Sequence, residues 1–192
     1  MNLYPYTDGD KLEAPNSYFY SSFHGINFLG AWMASRDAAL ADLPQPDVPV
    51  RPAATIPEHP PYVLSELLNG IAGLVGSGAP EAEARALRLL ANLVKRYEVT
   101  KRLHHSYSGD FRPIGPASLP TAYVDFGEEL VRAYQHTDAL LYLNTLLKIV
   151  DMLVSIRSRL PEADGARLAG LIMEERQAVR RVATRKAVCL ES

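Results

Sequence analysis

The segment from residue 122 to residue 156 constrains the fold more than any other part of this chain. Its first half repeats apolar side chains at spacings of three and four residues, which places them on one helix face: Tyr123, Phe126, Leu130, Ala133 and Tyr134. Its second half is apolar almost all round and leaves only a narrow polar stripe. A helix of that kind is typically surrounded by others, so we expect it to be central in the core.

A short polar connection, residues 135–138, separates these two predicted helices. Thr137 and Asp138 are typical helix N-cap residues, because their side-chain oxygens accept hydrogen bonds from the free amides of the next helix. A connection this short makes the two helices antiparallel neighbours. The second helix should bury four of its side chains completely: Leu143, Leu147, Val150 and Val154.

The rest of the sequence predicts further helices and no strand of convincing length. Helical spacing of apolar residues recurs over residues 27–43, 62–75, 80–105 and 164–188. Residues 106–121 are expected to form a loop, because turn-forming glycines and prolines recur in them. The predicted fold class is all-α, an irregular bundle of about five to six helices built from antiparallel helical hairpins.

Two distinctive segments precede the predicted bundle. Residues 1–43 form an aromatic-rich segment, irregular at its start, and eight aromatic rings lie in its first 32 residues. Residues 44–61 hold seven of the chain's 14 prolines and are expected to form an extended linker, since proline blocks helix and lacks an amide donor. The bundle itself should span residues 62–192, within one globular domain overall.

The composition argues against several classes of function. The net charge of −2 and the pI near 6.2 do not suggest the positive charge that nucleic-acid binding needs. The single cysteine, Cys189, rules out an internal disulfide framework and a thiolate zinc site, and no histidine motif predicts another metal site or a cofactor. We find neither a signal peptide nor an apolar run long enough to cross a membrane, so the expected location is the cytoplasm.

The candidate functional site lies between residues 101 and 112, where titratable side chains are concentrated. Polar groups that perform chemistry are often carried by loops between rigid elements. An aspartate can orient a histidine that acts as a general base, and an arginine can hold a carboxylate or phosphate with two parallel hydrogen bonds. The candidate catalytic residues are His104, His105 and Asp110, and the candidate substrate-binding residues are Arg102, Tyr107 and Arg112.

The same residues also fit a purely structural interpretation. Gly109, Pro113 and Gly115 are typical of a turn-rich crossover, and Asp110 can bond its own backbone there. The two histidines can instead cap the last carbonyls of the preceding helix. Both interpretations of the segment stay open at this point.

Two functions follow from the sequence. The first is a non-catalytic accessory or adaptor module that docks a partner protein, or self-associates, through its aromatic N-terminal segment, since interfaces favour such rings. The alternative is a small enzyme or ligand-binding protein that acts on an anionic small molecule in the 101–112 loop, with a histidine as general base and an arginine as anion clamp. Whether the chain is an enzyme is left undecided.

Overall fold

The computed structural model describes residues 23–44, 57 and 59–191, with side chains described from residue 30 to 44, at 57 and from 59 to 184. Six helices and three short strands follow one another in these residues: α1 (Phe23–Ala41), β1 (Tyr62–Val63), α2 (Leu64–Leu74), α3 (Pro80–Thr100), β2 (His104–Tyr107), β3 (Pro113–Ala117), α4 (Pro120–Thr137), α5 (Leu140–Ser155) and α6 (Glu162–Glu191). A 3₁₀ turn, Arg157–Arg159, joins α5 to α6. The predicted all-α class is confirmed, with one small sheet added.

The core is built around α5, as its nearly continuous apolar sequence predicts. Nine of its sixteen residues are buried, and α3, α4 and α6 all pack against it. Leu143, Leu147 and Val150 are each at most 3% exposed, so their predicted burial is confirmed. Full burial of Val154 was a wrong prediction, because that residue lies near the end of α5 and is only partly covered.

The turn between α4 and α5 is short, as predicted, but its capping differs from the prediction. Thr137 is the last residue of α4, and its hydroxyl donates to the carbonyl of Ala133 at 2.7 Å while accepting from the amide of Ala139. Asp138 ends α4 in a left-handed conformation, with φ near 55°. The N-cap residue of α5 is therefore Ala139, which has no side-chain oxygen to offer.

A small antiparallel sheet occupies a region that the sequence predicts as helix ends and loop. The strands lie in the order β1-β2-β3, with Tyr62 opposite Tyr107 and Ser106 opposite Ile114. The loop prediction for residues 106–121 holds for residues 108–112 and 118–119, and it was wrong for the strand residues and for the first two residues of α4. Strands of two to five residues are too short to show an alternating pattern. Both prolines of β3 lack an amide donor, which protects this edge strand from pairing with another chain.

The end of α3 brings this sheet into place. Lys101 adopts a left-handed conformation with φ near 54°, and its amide donates to the carbonyl of Tyr97 at 2.7 Å. The helix therefore stops at Thr100, several residues before its predicted end. His104 and His105 consequently lie in β2 and do not cap α3.

The N-terminal part of the chain is described only from α1 onwards. Of the eight rings in residues 1–32, Trp32 alone has a described side chain, and it is 4% exposed in the bundle core. Most of the predicted linker over residues 44–61, and the other rings, lie outside the described side chains. The described part of α1 packs on α6, so at least this portion of the N-terminal segment belongs to the bundle.

Candidate functional site

The turn between β2 and β3 uses the polar side chains of residues 108–112 for its own hydrogen bonds. The amide of Ser108 donates to the carbonyl of Arg112 at 3.0 Å, and the amide of Phe111 donates to the carbonyl of Ser108 at 2.9 Å. The Ser108 hydroxyl donates to Asp110 at 2.5 Å and accepts from the amide of Arg112 at 3.0 Å. Phe111 takes a left-handed conformation, with φ near 59°, that closes the turn.

Asp110 and Arg112, two of the predicted site residues, pair with each other. The Arg112 Nε lies 2.7 Å from a carboxylate oxygen of Asp110, and the two side chains are 78% and 57% exposed. The hydrogen bond from Ser108 is the main cause that lowers the pKa of Asp110, and Arg112 adds to it. Asp110 is therefore an ionised turn residue with its hydrogen bonds satisfied.

The two predicted histidines are neighbours in β2, at a point where the pairing with β3 shifts register between His104 and Ser106. His104 is half-buried, with its Nδ1 atom 3.3 Å from the carbonyl of Gly115. His105 is exposed. No hydrogen bond joins Asp110 to either histidine among the described residues, so the structure does not bring the three candidate catalytic groups together.

The predicted binding residues Tyr107 and Arg102 lie in contrasting places. Tyr107 is fully buried, and its hydroxyl accepts from the amide of His104 at 2.9 Å. Burial raises the pKa of Tyr107, while the amide of His104 and the nearby Arg96 oppose that rise. Its ring packs near Phe111, with 6.0 Å between the ring centroids, so Tyr107 anchors the sheet. Arg102 is exposed beside the end of α3.

A groove opens between α3 and the turn of this hairpin, and we call it the α3–turn groove. Its volume is about 330 Å³, and its lining residues are Asn92, Lys95, Arg96, Val99, Gly109, Asp110 and Phe111. Lys95, Arg96 and Val99 follow Asn92 at distances of three, four and seven residues, which places all four on one face of the helix. Of the six predicted site residues, only Asp110 lines the groove.

Arg96 is the unusual side chain in this lining. Six lysine or arginine side chains are half-buried in the described part of the chain, and Arg96 is the one that makes no hydrogen bond or ion pair there. The other five each have a partner within 3.2 Å: Arg85 with the Pro57 carbonyl, Arg132 with Glu129, Lys148 with Glu98, Arg167 with Asp125, and Arg176 with Asp37.

Neither Lys95 nor Arg96 is among the site residues predicted from the sequence. Their spacing with Asn92 and Val99 was visible, but the turn that completes the groove is brought there by the sheet. The sequence therefore contained the helical half of the site and no signal for the other half.

Comparisons of the chain with protein-family models, with curated proteins and with solved structures find no match. Within the described residues, no cluster of three or more histidine, cysteine, aspartate or glutamate side chains is arranged to hold a metal ion. No described helix combines the length and the apolar character needed to cross a membrane.

Proposed function

We propose that this chain is a non-catalytic helical adaptor that docks an acidic segment of a partner protein. The observation that carries the proposal is the charge at one end of the molecule, where α3 ends and the β2–β3 hairpin begins. We call this region the basic end, and it consists of five side chains: Lys95, Arg96, Lys101, Arg102 and Arg112. Only two carboxylates, Glu98 and Asp110, accompany them between residues 92 and 116, in a chain whose net charge is −2.

The pairing within the basic end leaves part of this charge available. Lys101 is bound to Glu98 at 2.6 Å, and Arg112 is bound to Asp110. Lys95, Arg96 and Arg102 make no ion pair among the described residues. A local excess of positive charge steers an acidic partner to a surface and orients it there.

The geometry favours binding over catalysis. A general base needs hydrogen-bond reach to the proton it removes, and an orienting partner that fixes its tautomer. His104 has a backbone carbonyl beside its ring, His105 is exposed, and Asp110 is engaged with Ser108 and Arg112. The adaptor would act in the cytoplasm, as the sequence predicts.

A glutamate-rich peptide labelled with a fluorophore tests the proposal by anisotropy. We expect binding that weakens as the ionic strength approaches about 1 M, where charges are screened beyond about 3 Å. A Lys95→Glu/Arg102→Glu variant should lose binding, because both side chains are exposed and unpaired. The matched control is Arg88→Glu/Arg159→Glu, which makes the same change in charge at exposed positions outside the basic end.

Equal losses in the two double variants would contradict the proposal, because the basic end would then have no special role. Absence of binding by the natural chain at low ionic strength would also contradict it.

Docking through the aromatic N-terminal segment stays a proposal for residues 1–22, which lie outside the described residues. Trp32 is part of the core, so a deletion that reaches residue 32 would remove structural contacts. Deleting only residues 1–22 keeps α1 whole. If that deletion abolishes self-association or capture of an identified partner while the melting temperature stays unchanged, the N-terminal segment is the docking element.

A further inference from the structure

We infer that the α3–turn groove is a binding site for a single phosphate-type oxyanion that carries an apolar group of about one ring. This inference goes beyond the adaptor function, because it concerns a small molecule and holds whether or not an acidic protein segment docks nearby. It rests on three features of the groove: an unpartnered arginine, further donors beside it, and an apolar wall.

The first feature is the state of Arg96. A half-buried arginine can keep its charged end in contact with water while its stem is covered, and every nitrogen of Arg96 stays accessible. A cation in such a position commonly pairs with a carboxylate or a carbonyl. The structure provides such a partner for every other half-buried lysine or arginine that it describes, and provides none for Arg96. A guanidinium presents paired N–H donors that match two oxygens of a phosphate or a carboxylate.

The second feature is the set of donors on the same helix face. Asn92 lies one turn before Arg96 and can donate through its amide, and Lys95 adds a second positive charge. No carboxylate of α3 lines the groove. The one acidic group in the lining, Asp110, already accepts from Ser108 and pairs with Arg112. The lining therefore holds two cations, Lys95 and Arg96, against one carboxylate, and this excess of one positive charge suits a single anionic group.

The third feature is the apolar part of the lining. Val99 is 76% exposed, whereas the other leucine, valine and tyrosine side chains of α3 are buried or half-buried. The ring of Phe111 is held by Tyr62 and Tyr107, with centroids 5.6 Å and 6.0 Å away. A volume of about 330 Å³ exceeds what a bare phosphate fills, and small-molecule sites begin at roughly 300 Å³. The space beside Val99 and Phe111 therefore suits an apolar group.

Phenyl phosphate, inorganic phosphate and phenol are the probes that test this inference, each titrated by calorimetry into the full chain at one fixed ionic strength. Phenyl phosphate combines the two properties, and each of the others has only one. We expect phenyl phosphate to bind at least about tenfold more tightly than either, because both the charge and the ring contribute. Equal affinity for phenyl phosphate and inorganic phosphate would overturn the apolar part of the inference.

Arg96→Met is the decisive variant, because it keeps the apolar stem of the side chain and removes only the charged donors. We expect its affinity for phenyl phosphate to fall at least about tenfold with no loss of melting temperature. Arg88→Met is the matched control on an exposed position of the same helix and should leave the affinity unchanged. Unchanged affinity in Arg96→Met, or an equal loss in Arg88→Met, would overturn the site.

A Val99→Ser variant separates the two halves of the groove. It should weaken the binding of phenyl phosphate and leave the binding of inorganic phosphate unaffected. The reverse result would overturn the placement of the ring.

Binding of the glutamate-rich peptide is a separate measurement. If phenyl phosphate binds and the peptide does not, the adaptor function fails and the groove stands. If the peptide binds and Arg96→Met does not change the affinity for phenyl phosphate, the proposed binding site in the groove is contradicted and the adaptor function stands.

Discussion

Arg36 and Arg96 show how differently two regions of this molecule surround an arginine. Arg36, on α1, is 1% exposed, and its Nε atom donates to Glu175 of α6 at 2.7 Å. Its Nη2 atom donates to Asp151 of α5 at 2.5 Å, and its guanidinium lies 5.4 Å from the centroid of the Trp32 ring. Arg96, on α3, faces an open groove, and its side chain makes no hydrogen bond or ion pair with any residue that the structure describes.

The difference separates a structural charge from one that is available for binding. Burial raises the pKa of Glu175 to about 7, and Arg36 opposes that rise through its hydrogen bonds and its charge. Each group at the α1–α6 contact thus depends on the others, and the network fixes where α1 lies. Nothing in the described part of the fold depends in this way on the charge of Arg96.

The largest effect should come from breaking the buried network. Arg36→Ala leaves Glu175 buried without its partner, and removing one member of a buried ion pair costs about 3–5 kcal/mol. Chemical denaturation of the variant measures this loss. The Arg36→Met/Glu175→Met double variant should be far less destabilised than the two single changes together, because the fully buried carboxylate of Glu175 is removed with its partner. Asp151 also loses Arg36 in that variant, but its side chain is 22% exposed. If the double variant loses as much free energy of unfolding as the two single variants together, Arg36 and Glu175 are not coupled.

Leu147→Ala shows how much stability is lost when a buried apolar side chain, and not a buried charge, is removed. Leu147 is 3% exposed in α5, and truncating a buried leucine costs about 2–5 kcal/mol through lost transfer energy and the cavity left behind. Denaturant unfolding should report that loss. A value below about 1 kcal/mol would contradict the central position of α5.

The ionisation of Glu98 should have a smaller effect on stability, and that effect should depend on pH. Burial opposes ionisation of Glu98, but hydrogen bonds from Lys101 and Lys148, at 2.6 Å and 2.7 Å, outweigh it and lower its pKa below 4.5. A folded-state pKa below the unfolded value means that the unfolded chain binds the proton more readily. The stabilisation by Glu98 is thus present above pH 4.5 and is lost as the pH falls below it.

Lys148→Met provides the test for Glu98, because it removes the cation on α5 and leaves Lys101. Stability measured from neutral pH down through the acid range should fall less steeply in this variant than in the natural chain. An unchanged slope would show that the Glu98–Lys148 pair does not stabilise the fold.

The smallest effect should be that of Arg112→Ala. The Asp110–Arg112 pair is exposed, and exposed ion pairs contribute little to stability because water competes with them. The backbone hydrogen bonds of the turn do not involve the Arg112 side chain. The melting temperature should therefore be the same as that of the natural chain within error, and a clear loss of stability would show that the pair holds the hairpin together.

The α4–α5 hairpin could be predicted from the sequence because its pattern is long and consistent. Residues such as Leu143 and Leu147 repeat at helical spacing over several turns, and burial follows from that repetition. Val154 deviates because burial near a helix end depends on what packs beside it. The strands could not be predicted, since β3 contains two prolines and β1 is two residues long.

The candidate site predicted from the sequence overlaps only in part with the groove that we propose. The density of charge over residues 101–112 indicated the end of the molecule at which that groove lies. Whether a polar group is consumed by a turn, as Asp110 is, depends on backbone geometry that composition does not reveal. Whether Arg96 has a partner depends on every element packed near it, and no local pattern contains that information.

One measurement tests the contrast between Arg36 and Arg96 most directly. Spectra of the arginine Nε–H groups, recorded by ¹⁵N–¹H correlation during titration with phenyl phosphate, follow both side chains in one sample. We predict that the Arg96 resonance shifts and saturates while the Arg36 resonance stays in place. A stationary Arg96 resonance, with shifts only at Arg102 or Arg112, would contradict the account, because the anion would then bind diffusely to the basic end.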